Sequence, residues 1–568
     1  MEKRWQFLPT FEEETQTLSS QLKIDVALCR VLAQRGVDSF EKAKAYFRPQ
    51  LSDLHSPWLM KDMDKAVDRI CKALDKNEKI LVYGDYDVDG TTSVACMVHF
   101  LRQFTGDGQL DFYIPHRYKE GYGISQEGID FAISGAYSLV IALDCGIKSV
   151  SLIGYAKEMG IDFVVCDHHL PGDELPPAVA ILNPKQIDCA YPYKELCGCG
   201  VGFKLISALS ERMNLKVDTN YAYLDLVATA VAADIVPMTG ENRLIAFYGL
   251  KKANENPNIG IRALKNLSGD SGEMDIHKLV FMIAPRVNAA GRMDDAKKAV
   301  NMFLSKSEEE AVFYAEQLHA DNSDRKEADQ QMTVEALGVL QEDPLNDQRK
   351  TSVVFQPHWK KGVIGIVASR LTEHFYRPTI VFTQSGELIT GSARSVAGFN
   401  LYNAIDACSK HLVTYGGHFA AAGLTLHPDQ FSSFKIAFEE AVTMQILPDQ
   451  LVPAIDINLE LRFDQITPSF YNILRQMEPF GPDNMRPVFV SRGVKDTGHS
   501  YIVKEQHLKL VVQQNGVTLT GILFRGAHLL SEIQKGAVDI VYTIIENEFR
   551  GSKTLQLQVV DLRESSSH

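Results

Sequence analysis

The 568-residue chain has no apolar stretch long enough to cross a membrane. Its first residues, Met1-Glu2-Lys3-Arg4-Trp5-Gln6-Phe7, lack the apolar core of a secretory signal. These absences exclude membrane-embedded classes and predict a cytoplasmic protein with no membrane partner. Positive charge is not in surplus either: the formal net charge is −14, which argues against a generally basic nucleic-acid coat. A local basic groove stays open, because affinity for phosphates depends on where the cations sit. Cysteine is sparse, nine residues with several inside apolar segments (Cys96, Cys145, Cys166), as expected of buried thiols in a reducing compartment. Cys197-Gly198-Cys199 is the one close pair, and no second pair at zinc-ligand spacing accompanies it.

What is present is a globular composition, 45% hydrophobic and 23% charged, in a chain too long for one core. Residues 1–75 read as short amphipathic helices. From 76 to 300 strand candidates Ile80–Tyr83, Leu110–Ile114, Leu139–Leu143, Asp162–Cys166 and Val179–Leu182 alternate with helical stretches, the pattern of an open parallel α/β sheet. A charged, proline-free stretch follows over 301–345 and predicts a connecting helix, single or broken in two. A second, smaller α/β unit spans 346–447, with strands at Ser352–Phe355 and Thr379–Phe382. Short β runs dominate 448–568 and suggest a small β-barrel. Only the Ser565-Ser566-Ser567-His568 tail reads as disordered.

Chemistry concentrates at the ends of the first region's apolar segments. Asp85-Tyr86-Asp87-Val88-Asp89-Gly90 follows Ile80–Tyr83, Asp144 follows Leu139–Leu143, and Asp167-His168-His169 follows Phe163–Cys166. Asp234 follows the apolar run at Leu226-Val227-Ala228. Asp85, Asp87 and Asp89 would point one way if strand geometry persisted through them. In parallel neighbouring strands, six aspartates and two histidines meet at one sheet edge, where ligands of such folds bind. A lone strand-end Asp is more often a helix cap, and a lone His pair more often surface or core; four such segments together favour a metal site. The cluster repels itself unless cations neutralise it. Carboxylates with imidazole favour Mn2+ or Mg2+ over zinc. A calcium loop is disfavoured, because Cys96 stands where its twelfth-position Glu would be. Six aspartates exceed one ion's needs and suit two divalent cations, the usual hardware of phosphoester hydrolysis.

These four segments resemble the motifs of the DHH phosphoesterase superfamily, named for the third. Pro115-His116-Arg117, the run Arg286–Met293, Gly391-Ser392-Ala393-Arg394-Ser395 and Gly416-Gly417-His418 extend the match. With the domain order, they resemble that superfamily's bacterial single-strand-specific 5′→3′ exonucleases over nearly the whole chain. The resemblance implies a DHH-type sheet domain, a DHHA1-type domain joined to it by a long helix, and a C-terminal OB-fold. It implies that Asp85 and Asp87 hold one ion and Asp89 the second, with Asp144 bridging and His168 and Asp234 completing the second site. Asp167 would orient or ligate, and His169 would contact the scissile phosphate. Related pyrophosphatases carry a ligand histidine before the first motif, where this chain has Tyr83 and Gly84.

The resemblance further makes Arg117, Ser392 and Arg394 a 5′-phosphate pocket, with Arg286 and Arg292 lining the same channel. Tyr118 and Tyr122 would stack bases, core packing being the alternative for each. Gly416, Gly417 and His418, which a simple turn explains equally well, become the second domain's contribution over the metals. The activity implied is metal-dependent hydrolysis of single-stranded DNA from the 5′ end to 5′-mononucleotides, in recombination and repair. A single-strand-binding protein and a RecQ-type helicase are the implied partners of a monomer. Rival readings within the superfamily are a phosphodiesterase of short oligonucleotides or cyclic dinucleotides, and a catalytically silent single-strand-binding replication factor. The β region beyond residue 450 has no work in the first, and the full set of motif acids argues against the second.

Overall fold

The computed structural model describes residues 3–216, 218–293, 295–549 and 552–565; the tail at 566–568 lies outside them. Five apolar segments form the first sheet: β1 (Ile80–Gly84), β2 (Leu110–Tyr113), β3 (Leu139–Leu143), β4 (Asp162–Cys166) and β5 (Ala180–Leu182). All pairs are parallel, in the order β2-β1-β3-β4-β5. β1 and β3 are buried along their whole length, which is why they read as unbroken apolar runs. The strand order reverses beside β1, so a crevice opens beyond the carboxyl ends of β1 and β3. Helices α1 (Val88–Leu101), α2 (Gly198–Arg212) and α3 (Leu224–Ala233) pack into one core with Met63–Asp75, and both α2 and α3 approach this crevice.

α4 (Ala284–Met293) leads toward α5 (Glu308–Gln341), one continuous 34-residue helix about 50 Å long. Its first half buries Ala311, Ala315 and Leu318 in the first core. Its second half buries Ala328, Met332, Ala336 and Leu340 against the second unit. There β6 (Ser352–Phe355), α6 (Ile364–Phe375), β7 (Thr379–Ser385), β8 (Leu388–Arg394), β9 (Thr414–Gly417) and β10 (Ala421–Leu426) build a mixed sheet ordered β9-β10-β8-β7-β6. β8 to β10 escaped the sequence reading because their Gly, Ala and Ser residues have little intrinsic strand preference. Ladder pairing holds them instead.

Beyond residue 448, β11 (Phe489–Asp496), β12 (His507–Gln514), β13 (Val517–Leu523), β14 (Val538–Phe549) and β15 (Ser552–Glu564) close into a ring. β11 pairs with β14, β14 with β15, β15 with β13, β13 with β12, and β12 returns to β11. This is the expected small β-barrel, here of five strands.

The N-terminal residues, read as short amphipathic helices, begin with a strand and divide between two cores. Arg4–Phe7 pairs in parallel with Ala454–Ile457. Leu18, Leu28, Val31 and Leu32 pack on Leu459, Phe463 and Phe470 of the barrel unit, whereas Ala66, Val67 and Ile70 of Met63–Asp75 lie in the first sheet's core. Arg243 ties the halves together, donating to the carbonyls of Tyr46 at 2.7 Å and Glu478 at 2.9 Å. Among the described residues no helix is long and apolar enough to cross a membrane.

Candidate metal centre

The first motif turns rather than continuing as a strand, which corrects the expectation that its three carboxylates align by strand geometry. β1 stops at Gly84, and α1 begins at Val88 with Asp87 as its N-cap, Oδ1 accepting the Gly90 N–H at 3.0 Å. An aspartate suits that cap, and Asp89 suits the first turn, since both face the helix's positive end. Gly90 is required by proximity: a Cβ there would lie 2.4 Å from the Asp85 carbonyl oxygen. Asp89 crosses to the start of α2, its two oxygens accepting the N–H groups of Gly198 and Cys199, each at 2.7 Å. The Cys197-Gly198-Cys199 run therefore serves the site through its backbone. Cys197 is itself the N-cap of α2, its Sγ accepting the Gly200 N–H at 3.3 Å.

Asp144 leaves β3 in the left-handed region at φ 60°, an uncommon conformation for a residue with a Cβ and one that clusters at functional sites. Asp234 is the C-cap of α3, so three strand ends and one helix end converge. His168 stands among them: its Nε2 lies 3.2 Å from Asp144 Oδ1, 3.6 Å from Asp234 Oδ2 and 3.8 Å from Asp89 Oδ2.

The protonation balance is that of a cluster built for cations. Burial, followed by the Asp87 charge, raises Asp85 and Asp89, the latter to about 7. Burial and the Asp89 carboxylate raise Asp144, and the same two causes push Asp234 up to about 9. Burial, then His169, holds His168 down to about 3, so its ring is neutral, as a ligand must be. Both Asp85 oxygens, Asp144 Oδ1, Asp234 Oδ2 and both His168 ring nitrogens are buried without a hydrogen-bond partner. So many unpartnered acceptors are costly unless cations satisfy them. Asp89, His168 and Asp234 could hold one ion, and Asp144, His168 and His169 also converge within ligand reach. This donor set fits Mn2+ or Mg2+.

Asp167, expected to orient or ligate, is occupied by hydrogen bonds from its own chain. Its Oδ2 accepts the Ile147 N–H at 2.9 Å, and its Oδ1 accepts from His168 N, His169 N and His169 Nδ1 at 2.8, 3.1 and 2.7 Å. Burial alone would raise this carboxyl, but the His169 contacts hold it below its ordinary value. His169 is raised in turn: burial opposes its charge, and the Asp167 hydrogen bond outweighs it. Asp167 thus orients His169.

The remaining candidates divide. Arg117 lies 4.7 Å from the Tyr86 ring centroid, between Asp85 and the second unit's arginines. Arg394 donates to Ser392 Oγ at 3.1 Å, and its guanidinium lies so near α6 that a Cβ on Gly365 would meet Nη2 and Ser392 Oγ at 3.0 Å. Burial and then Arg117 lower Arg394; the same causes, in that order, lower Arg292 to about 10. Among the described residues no carboxylate pairs with Arg117, Arg292 or Arg394. Arg292 donates to Gly362 O at 3.0 Å, which joins the two units, and its own carbonyl accepts the Tyr118 hydroxyl at 2.7 Å within the first. The Tyr118 ring is thus held in place through its hydroxyl. Arg286 is buried and donates to Met282 O at 2.5 Å and His319 Nδ1 at 3.3 Å, which removes it from the expected channel lining. Tyr122 is exposed; its hydroxyl donates to Asp144 O at 2.8 Å, and its ring meets His169 edge-on. Gly416, Gly417 and His418 lie exposed on the β9–β10 hairpin, with the His418 N–H bonded to Ala421 O.

Sequence reasoning missed the residues that act through backbone or shape. Asn288 Oδ1 accepts the Val88 N–H at 3.2 Å, and Gly291 lets α4 approach Tyr86, where a Cβ would meet the carbonyl at 2.8 Å. Their only signal was membership of the Arg286–Met293 run.

Residues 79–231 match the N-terminal domain of the DHH family, residues 348–444 the DHHA1 domain and residues 457–561 the RecJ OB domain. The single-stranded-DNA-specific exonuclease RecJ of Bacillus subtilis is 35% identical over 563 residues, 98% of this chain and 70% of that protein. Its Escherichia coli counterpart is 34% identical over 574 residues, 96% of each chain. A crystal structure of RecJ in complex with Mn2+ from Thermus thermophilus superposes with a TM-score of 0.85 at 28% identity, covering 99% of this chain and 80% of that one.

Proposed function

The chain belongs to the RecJ family of single-stranded-DNA-specific exonucleases, and from that premise we propose that it removes 5′-mononucleotides from single-stranded DNA, working 5′→3′. The observation that carries this reading is the buried cluster of carboxylates and imidazole at the β1/β3 crevice, beside arginines that pair with no carboxylate among the described residues. Divalent ions held there supply water activation and charge neutralisation for phosphoryl oxygens. We assign ligation to Asp85, Asp87, Asp89, Asp144, His168 and Asp234. His169, oriented by Asp167 and made more basic by it, would donate a hydrogen bond, and then a proton, to oxygens around the scissile phosphorus. Arg117, Arg394 and Ser392 would grip the terminal phosphate, fixing both the end attacked and the length removed. The β9–β10 hairpin bearing Gly416, Gly417 and His418 would cover the bound strand from the second unit. The barrel offers Tyr501 and Phe524 as exposed platforms for the departing strand.

This reading carries with it a monomer acting in the cytoplasm during recombination and repair. Its partners would be a single-strand-binding protein and a RecQ-type helicase that opens the strands. The test is a 3′-labelled oligonucleotide with and without a 5′-phosphate, incubated in Mn2+ and in EDTA. The expected result is a metal-dependent ladder shortening from the 5′ side, with a blunt duplex spared. Survival of the long strand alongside cleavage of a dinucleotide would replace this reading with that of a short-oligonucleotide phosphodiesterase.

A further inference from the structure

We propose that Ile235 and Leu170, with Tyr122, form an apolar collar around the metal centre that grips the first nucleobases of the strand. The inference rests on the exonuclease reading above and names the part of the substrate that this rim recognises. Leu170 follows His169 directly and is 64% exposed; Ile235 follows Asp234 and is 70% exposed. Tyr122, 52% exposed, is bonded to the Asp144 carbonyl and lies against His169. Single exposed apolar residues are ordinary on any surface. Here three loops each place one within a residue or a hydrogen bond of a group in the metal cluster.

Ile235 carries a second, independent observation. Asp234 caps α3, so Ile235 occupies the position where helices commonly end in the left-handed region, usually with glycine. Ile235 adopts that conformation, φ 59°, although its branched Cβ makes it costly there. Burial cannot be the compensation, because the side chain is largely in solvent. Glycine or asparagine would close the helix at lower cost, and no packing within the fold offsets the difference, which leaves contact with something bound at the site as the compensation. The occupant is set by continuity with the site: the terminal phosphate and scissile bond leave the first bases at the cluster's rim. An aliphatic or aromatic surface takes any base face, as sequence-independent binding requires. A paired base offers no free face to such a collar, so the contact also favours single strands.

The test compares wild type with Ile235→Gly and Ile235→Asn, both compatible with the left-handed backbone, and with Leu170→Ser. Each is assayed on a 5′-phosphorylated strand and on the same strand with its first three nucleotides abasic. Burying such a side chain against a base predicts a loss in kcat/KM of about ten-fold for the Ile235 variants on the natural strand. On the abasic strand the variants should match wild type, which has itself lost at least as much. Mn2+ affinity by calorimetry should not change. Equal losses on both strands, or a loss accounted for by weaker Mn2+ binding, would make Ile235 a mere support of Asp234 and overturn the proposal. Cleavage of neither strand by wild type would instead overturn the exonuclease reading beneath it.

Discussion

Gly198 and Asp144 stand so close that a Cβ on the glycine would lie 2.5 Å from both the Cβ and Oδ1 of the aspartate. The same glycine's N–H holds Asp89 Oδ2 at 2.7 Å. Two carboxylates of the cluster are thus indexed by one residue without a side chain. Gly198→Ala is expected to displace Asp144 and to lower kcat by about a hundred-fold, the scale at which an ångström of misplacement is felt. Gly200→Ala, which meets Leu196 only at ordinary contact distance of 3.4 Å, is the control and should retain most activity. Circular dichroism unchanged in both variants, with activity lost in the first alone, is the expected pattern.

Asp144→Asn separates stability from function. Burial and four neighbouring carboxylates, Asp89 first, disfavour its charge. An amide is neutral without taking up a proton, so the substitution should raise the melting temperature of the metal-free protein by roughly 2–4 °C while abolishing nuclease activity. Thermal scans in EDTA and in Mn2+ would show the sign reverse, because the wild type gains from the ion and the variant does not. A variant that cleaves at near-normal rate with normal metal content would remove Asp144 from the metal centre.

The raised carboxyls also fix a pH dependence. Asp89 at about 7 and Asp234 at about 9 carry protons in the metal-free fold at pH values where the unfolded chain has lost them. An acid whose folded pKa is raised contributes stability that is complete below its unfolded value near 4 and is lost as pH rises through the folded value. The metal-free protein should therefore lose stability between about pH 4 and 9. A cation must displace these protons, so its apparent affinity should rise with pH over the upper part of that window. Calorimetric Mn2+ titrations in two buffers of different ionisation enthalpy should show net proton release near pH 7. Heats that do not depend on the buffer would contradict the assignment.

The parts legible in the sequence were those written in side chains. Ile80–Tyr83 and Leu139–Leu143 are buried on both faces and so read as unbroken apolar runs, which located Asp85 and Asp144. The ends of apolar runs likewise located His168 and Asp234, whose roles came from the family resemblance. What failed to show was carried by the backbone or by pairing distant in the chain. The N–H groups of Gly198 and Cys199 leave no trace in residue type, and the pair was read for its thiols. For Asp167 orienting and ligating both stayed open, because nothing in its identity reveals that Ile147, His168 and His169 already occupy it. The docking of Leu28 and Leu32 onto Phe463 and Phe470 joins segments more than 400 residues apart, beyond any local pattern.

Arg394 and Ser392 give the 5′-phosphate reading its sharpest consequence. The two contact each other at 3.1 Å beside Arg117, with no carboxylate to neutralise them among the described residues. Arg394→Ala should reduce cleavage of a 5′-phosphorylated strand by about ten- to a hundred-fold, in keeping with the loss of a charge-assisted bidentate contact. It should leave the slower cleavage of a 5′-hydroxyl strand nearly unchanged. Arg394→Lys should restore little, because an ammonium cannot offer the two-pronged contact. Rates on the two strands that fall in parallel would instead place Arg394 in general strand binding.

Arg243 is expected to control the barrel's attachment. Its buried guanidinium donates to Tyr46 O and Glu478 O and lies 3.9 Å from the Tyr46 ring centroid, joining the N-terminal helices, the first unit and the barrel. Arg243→Ala leaves buried carbonyls without donors and should cost about 2–4 kcal/mol. The effect should reach the metal centre, because the Met238 N–H, four residues beyond Asp234, bonds Pro482 O at 2.7 Å across the same junction. A loosened barrel releases that anchor, so kcat should fall with KM for long strands rising, while a trinucleotide too short to reach the barrel should show the kcat effect alone. Urea denaturation should acquire an early transition, with proteolysis cutting between residues 447 and 460 first. If the variant unfolds in a single step at the wild-type midpoint, Arg243 is not the tie between the halves and the coupling to Asp234 falls with it.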